Sequence, residues 1–215
     1  MESSGYAFRD RDHEEQRLRS QAELFDPLTE RAFRAAGLST GMRVLDIGSG
    51  AGDVAMLAAR LVGSGGKCSA LNAIQPPSEP ANERARDAAL GNVRFVQGDG
   101  QTLDGVTGPF DAVVGRLVLM YLPDLAAAVA RATTLLASGG IVCFQEGDMA
   151  YEWAQPMTEL WTMPRAWFLE TLSRARIALR MALELPATFL AAGLPSPEVC
   201  LECAVSARDP HPVWG

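Results

Sequence analysis

At 215 residues and 23.0 kDa, the chain is long enough for one sizeable core and short for two domains. Its 48% hydrophobic and 21% charged residues are those of an ordinary globular protein. A formal net charge of −7, with no basic run to offset it, argues against nucleic acid or an anionic membrane as partner. No apolar stretch is long enough for a membrane span, and Met1-Glu2-Ser3-Ser4-Gly5 lacks signal-peptide character, so the cytoplasm is the expected location.

Residues 1–13 are polar. The spacing of Leu18, Ala22 and Phe25 predicts a helix over 14–25, and Leu28, Ala32 and Phe33 predict a second one, opened by Pro27 and closed by Gly37. The apolar run Met42–Ile47 reads as a buried strand. Gly48, Gly50 and Gly52 follow at alternate positions, and then the helical pattern Val54–Leu61. A short strand is expected at Lys67–Leu71, and three prolines make Gln75–Pro80 a loop. Next come a helix over 81–90, the strand Val93–Val96 leading to Gly98-Asp99-Gly100, and the apolar strand Phe110–Val114. A helix over 123–137 and the strand Ile141–Phe144 complete the regular alternation, which implies a parallel sheet with helices on both faces.

Residues 151–185 break that rhythm with a mainly helical insertion carrying Trp153, Trp161 and Trp167. A helix over 186–192 and the strand Glu198–Val205 follow. The whole reads as one domain: an N-terminal helical lid over 1–38, a ligand-binding core over 39–150, the insertion, and a last helix and strand over 186–215. Four cysteines make no disulfide framework in a chain of this size. Cys68 and Cys143 lie in expected central strands, and Cys200-x-x-Cys203 sits in an alternating strand pattern whose residues three apart face oppositely. All four are expected as core filling, with no metal site.

A buried strand, a tight glycine turn and a helix start offer backbone N–H groups to a nucleotide-like ligand. In a doubly wound sheet, ligands lie beyond the carboxyl ends of the strands. The residues that follow each strand therefore converge on one crevice: Gly48, Ser49, Gly50 and Gly52, then Asn72, then Asp99 and Gly100, then Arg116 and Leu117, then Glu146.

The glycines fall as Gly48-x-Gly50-x-Gly52 with Asp46 two residues ahead, a spacing that differs from the G-x-G-x-x-G of dinucleotide enzymes. This segment closely resembles the first motif of class I S-adenosylmethionine (SAM) methyltransferases, and the resemblance extends over roughly Tyr6 to Val205. It implies an α/β fold with a doubly wound, mostly parallel Rossmann-like sheet. It also implies SAM as cofactor, S-adenosylhomocysteine as product, and a small-molecule acceptor of a biosynthetic pathway. The turn would cradle the methionine part of the cofactor, with Asp46 close to its amino group. Asp99 either bonds the adenine amino group or serves as a turn aspartate bonding its own backbone. Gly115–Pro123 is similar to the family's fourth motif, and Arg116 within it either binds a carboxylate of cofactor or substrate or pairs with a nearby acid.

Two positions depart from the family pattern. Asn72 stands where an Asp or Glu grips both ribose hydroxyls, an exchange costing about 1 kcal/mol, roughly fivefold in affinity. The family's closing antiparallel strand has no counterpart, because Arg208–Pro212 breaks the chain and Val213-Trp214-Gly215 is too short to return. The sheet edge this leaves open calls for a cover, such as a second copy or a partner chain. Both departures also suit a relative that binds SAM or S-adenosylhomocysteine without methyl transfer, doing other chemistry such as cyclisation or serving as a partner subunit.

Methyl transfer from a sulfonium depends mainly on in-line positioning and exclusion of water, with a base needed only where the acceptor must lose a proton early. The candidate catalytic residues are His13, if the N-terminal segment folds over the site, together with Glu146 and Tyr121. Tyr151, Trp153, Trp161, Trp167 and Phe168 are the candidate acceptor walls.

Overall fold

The computed structural model describes residues 11–73, 79–150 and 159–202, with side chains from residues 21, 81 and 160 onward in the three segments. Five strands form one all-parallel sheet in the order β3-β2-β1-β4-β5: β1 (Arg43–Ile47), β2 (Lys67–Asn72), β3 (Val93–Gln97), β4 (Phe110–Arg116) and β5 (Leu136–Gln145). The order reverses between β1 and β4, which places the switch point of this doubly wound sheet at their carboxyl ends. Burial follows strand position. Val44, Leu45, Ala112 and Val113 in β1 and β4 are closed to solvent, whereas the edge strand β5 is nowhere fully buried.

One face of the sheet packs on α1 (Arg11–Ala35) and α2 (Asp53–Val62), through Phe33, Val54, Ala58 and Val62 against Val44, Ala70 and Val114. The other face packs on α4 (Leu125–Thr134), α5 (Glu159–Arg174) and α6 (Met181–Ala191), through Val129, Leu172 and Met181 against Leu45, Leu71 and Val113. The remaining helix, α3 (Glu79–Asp87), buries Ala81 and Ala85.

The structure corrects several expectations. The two N-terminal helices are one, with Pro27 inside it. An interior proline costs about 3 kcal/mol, and here it is offset by the full burial of Phe33 and Thr29 and an ion pair from Asp26 to β4. β5 starts at Leu136 rather than Ile141, displacing the end of α4, and a register shift between Phe110 and Ala112 accommodates the longer strand. The last helix begins at Met181, a turn or more before Pro186, because Met181 is fully buried.

No strand forms over 194–202, where Val199 and Leu201 are exposed. The period-two pattern is present, but no strand among the described residues supplies a ladder. Cys200 is accordingly exposed rather than core filling, and Cys143 lies half-buried on an edge strand rather than a central one. Cys68 is buried as expected; Cys203 lies outside the described residues. No helix among the described residues is long and apolar enough to cross a membrane.

Candidate functional site

The glycine turn sits at the carboxyl end of β1, beside the switch point. Gly48, Gly50 and Gly52 all have positive φ, at 73°, 51° and 89°, a region L side chains rarely adopt. Close approach adds a second requirement. A Cβ on Gly48 would lie 2.3 Å from Val118 Cγ2, and one on Gly52 would lie 2.8 Å from the Phe95 ring.

The amides of the turn divide into two groups. Those of Gly48 and Ser49 donate to Leu71 O at 2.9 and 3.0 Å, and that of Gly52 donates to Ser49 O at 2.7 Å, so these three shape the bend. The amides of Gly50 and Ala51 donate to nothing among the described residues. They are the donors left for a ligand.

Two polar side chains beside the turn are buried without partners: both carboxylate oxygens of Asp46 and the Ser49 hydroxyl. Burial pushes the Asp46 carboxyl up to about 8, against the pull of the Arg116 guanidinium and with the Asp53 carboxylate adding to the rise. Buried polar groups are normally hydrogen-bonded. A carboxylate and a hydroxyl left unpaired under two free amides therefore mark a place built for a polar ligand rather than a plain structural turn.

Arg84 of α3 was not singled out from the sequence. Its Nη1 donates to Ala51 O at 2.8 Å, and its Nη2 pairs with Asp53 at the start of α2. One guanidinium thus clamps both ends of the turn's last segment. Asn72 ties in the other side, its Nδ2 donating to Gly50 O at 3.2 Å. Nothing local marks Arg84: it is one of two arginines in a polar helix, with Arg86 beside it, and its partner lies 31 residues away.

Arg116, at the end of β4, pairs with Asp26 of α1 at 2.8 Å and donates to Thr29 Oγ1 at 3.0 Å. Thr29 in turn reaches Gln145 Oε1 at 2.5 Å. A polar chain therefore pins α1 across the ends of β4 and β5. Asp99 Oδ1 accepts from Gln101 N at 2.7 Å, an Asx turn. A Cβ on Gly100 would come within 3.3 Å of Ile47. Leu117 adopts φ +51°, and its amide donates to Gln145 O.

Glu146 Oε1 accepts from the amides of Val118 and Leu119 at 3.0 and 2.8 Å, while Oε2 is buried without a partner. Burial pushes this carboxyl up to about 7, with the amides of Leu119, Val118 and Met120 opposing the rise. Tyr121 is 38% exposed on a single 3-10 turn, Leu119–Tyr121. On α5, Trp161 and Trp167 are 39% and 59% exposed, whereas Phe168 packs on the core. His13 falls within α1, but its side chain is outside the described set, and Tyr151 and Trp153 lie outside the described residues altogether.

Cavities of about 890 and 410 Å³ open at the opposite, amino ends of the strands, lined by residues such as Arg43, Lys67 and Arg94, and Ser39, Asp111 and Gly139. Neither contains a residue of the glycine turn.

Comparisons with known proteins agree with the fold. A SAM-dependent methyltransferase from Aquifex aeolicus superposes with a TM-score of 0.59 at 20% identity, covering 77% of this chain and 88% of that one. The YcgJ protein of Bacillus subtilis superposes with a TM-score of 0.54 at 25% identity, covering 74% and 64%. The chain is 34% identical over 122 residues to the aklanonic acid methyltransferase DauC of Streptomyces sp. (strain C5), a match over 57% of this chain and 56% of DauC. It is 32% identical over 118 residues to the nocamycin O-methyltransferase of Saccharothrix syringae, over 55% of this chain and 42% of that protein. The chain thus spans about half the length of these relatives. Residues 38–181, from the entry to β1 through the start of α6, match the model of the methyltransferase domain, and the chain belongs to that family.

Proposed function

We propose that the chain is a SAM-dependent methyltransferase acting on a small organic acceptor in a biosynthetic pathway. The observation that carries this reading is the pair of free amides at Gly50 and Ala51, set above the unpartnered Asp46 carboxylate and Ser49 hydroxyl. SAM carries a carboxylate suited to those amides and two positive charges, on its ammonium and sulfonium groups, suited to a buried acid. The residues present fit it. When bound, it supplies a methyl group on a sulfonium.

The chain's own part is binding, orientation and exclusion of water. Gly50 and Ala51 donate, Asp46 offers a buried carboxyl that a cationic ligand would draw toward its ionised form, and Arg84 and Asn72 hold the turn's carbonyls. Asp99 and Gly100, one strand further out, are the proposed adenine side, and Arg116 and Leu117 the opposite wall. His13 and Tyr121 are the candidates for acceptor contact and Glu146 for positioning, with Tyr151, Trp153, Trp161 and Trp167 as the acceptor walls. DauC is named for aklanonic acid and the Saccharothrix protein for nocamycin, which supports a small organic acceptor.

Calorimetry with SAM and S-adenosylhomocysteine, followed by mass analysis of candidate acceptors, tests this reading. Micromolar binding of both and a mass gain of one methyl group are expected. No heat at high micromolar ligand overturns it, and tight binding with no methylated product moves the assignment to a relative of other chemistry. The same reading places the chain in the cytoplasm, consistent with its free thiols Cys68, Cys143 and Cys200. It also proposes a partner chain beside β5, the outer strand of the sheet among the described residues, which a clean monomer mass in solution would contradict.

A further inference from the structure

Val118 occupies an unusual place. Its side chain fills the space into which a Cβ on Gly48 would project, at 2.3 Å from Cγ2, and also borders Gly115, where a Cβ would meet Val118 Cγ1 at 2.9 Å. It is therefore the wall directly behind the first glycine of the ligand turn. The backbone carrying it is held in a costly shape, because Leu117 adopts φ +51°, a conformation that disfavours a residue with a side chain.

Three consecutive amides keep that shape, and all three end on the segment that leaves β5. Leu117 N donates to Gln145 O at 2.9 Å. Val118 N and Leu119 N both donate to Glu146 Oε1, at 3.0 and 2.8 Å. Charge-assisted bonds of this kind are about twice as strong as neutral ones, and they lie in a buried setting where an unmet amide is expensive. A carboxylate whose other oxygen is buried and unbonded is a poor device for stability alone. Its measurable work is to hold one bend of chain.

We propose that Glu146 is a positioning residue of the cofactor site, holding the Leu117–Leu119 bend so that Val118 stands flush against Gly48. This rests on the reading of the glycine turn as the cofactor's seat. In this role Glu146 acts through Val118 rather than by touching ligand or reacting atoms. Seating Val118 sets how the turn can settle, and with it the direction of the Gly50 and Ala51 amides.

The test combines a ligand readout with one that needs no ligand. S-adenosylhomocysteine affinity is measured by calorimetry, and exchange of the Val118 and Leu119 amides by hydrogen–deuterium exchange. Glu146→Ala is expected to weaken S-adenosylhomocysteine about tenfold, and to speed exchange at both amides, while kcat at saturating SAM falls far less than KM rises. Glu146→Gln keeps the Oε1 acceptor and is expected to restore slow exchange and an affinity within about threefold of the original. Val118→Ala removes the wall but not the bonds. It is expected to weaken binding about as much as Glu146→Ala does while leaving both amides slow, and it decides the matter should Glu146→Ala fail to fold.

The proposal is overturned if Glu146→Ala leaves both amides as slow as in the original protein, if Val118→Ala binds S-adenosylhomocysteine unchanged, or if Glu146→Gln behaves like Glu146→Ala. Should the unaltered protein bind no S-adenosylhomocysteine, the methyltransferase reading falls, and amide exchange still decides whether Glu146 holds the bend.

Discussion

Asp46 and Glu146 are both acids buried at the carboxyl end of the sheet, and both are pushed toward or beyond neutrality. They differ in what they hold. Asp46, inside β1, makes no hydrogen bond of good geometry on either oxygen, only the Ala55 amide coming near enough to favour its ionised form, whereas Glu146, just past β5, takes two amides on one oxygen. The difference separates two uses of a buried charge. A carboxylate that binds main chain is committed to shape, whereas one left without donors is held ready for something else, at a standing cost to the fold.

That cost gives the largest expected effect. An acid whose folded pKa lies above its unfolded value binds more protons when folded, so stability is greatest below the unfolded value and declines as pH rises toward the folded one. For Asp46 the window runs from the ordinary carboxylate value of 3.8 to about 8, a loss on the order of 5 kcal/mol across it. Asp46→Asn is expected to flatten that decline in urea melts recorded from pH 4 to 9. An unchanged slope would mean that the two acids are not different in kind.

Glu146 moves in the same direction over a narrower range, from 4.5 to about 7, because its amides favour the ionised form. Glu146→Gln should remove a slope worth on the order of 3 kcal/mol. A larger change than that given by Asp46→Asn would reverse the comparison. Asp124 supplies the exposed reference: its Oδ1 caps α4 by accepting from Ala127 N at 3.0 Å. Asp124→Ala should cost about 1 kcal/mol, the value of one such bond in water rather than in a buried setting.

Much of this was legible in the sequence where the determinants are local. The strand, the alternating glycines and the helix start occupy adjacent residues, and each constrains its own backbone. The partners of Arg84 and Arg116 were not legible, because their acids lie 31 and 90 residues away and only the fold brings them together. Pro27 misled because a proline reads equally well as a helix opener, and tertiary packing decided otherwise. The alternation from Glu198 misled over its described part, residues 198–202, for the opposite reason: the local pattern is there, yet a strand exists only beside another strand.

Arg116 also connects two events that look separate. Its guanidinium pairs with Asp26 on α1, and its charge moderates Asp46 beneath the glycine turn. The seating of the first helix and the filling of the crevice therefore draw on one shared cation. By thermodynamic reciprocity, if loosening the helix alters ligand affinity through this cation, an occupied crevice alters the hold on the helix by the same factor.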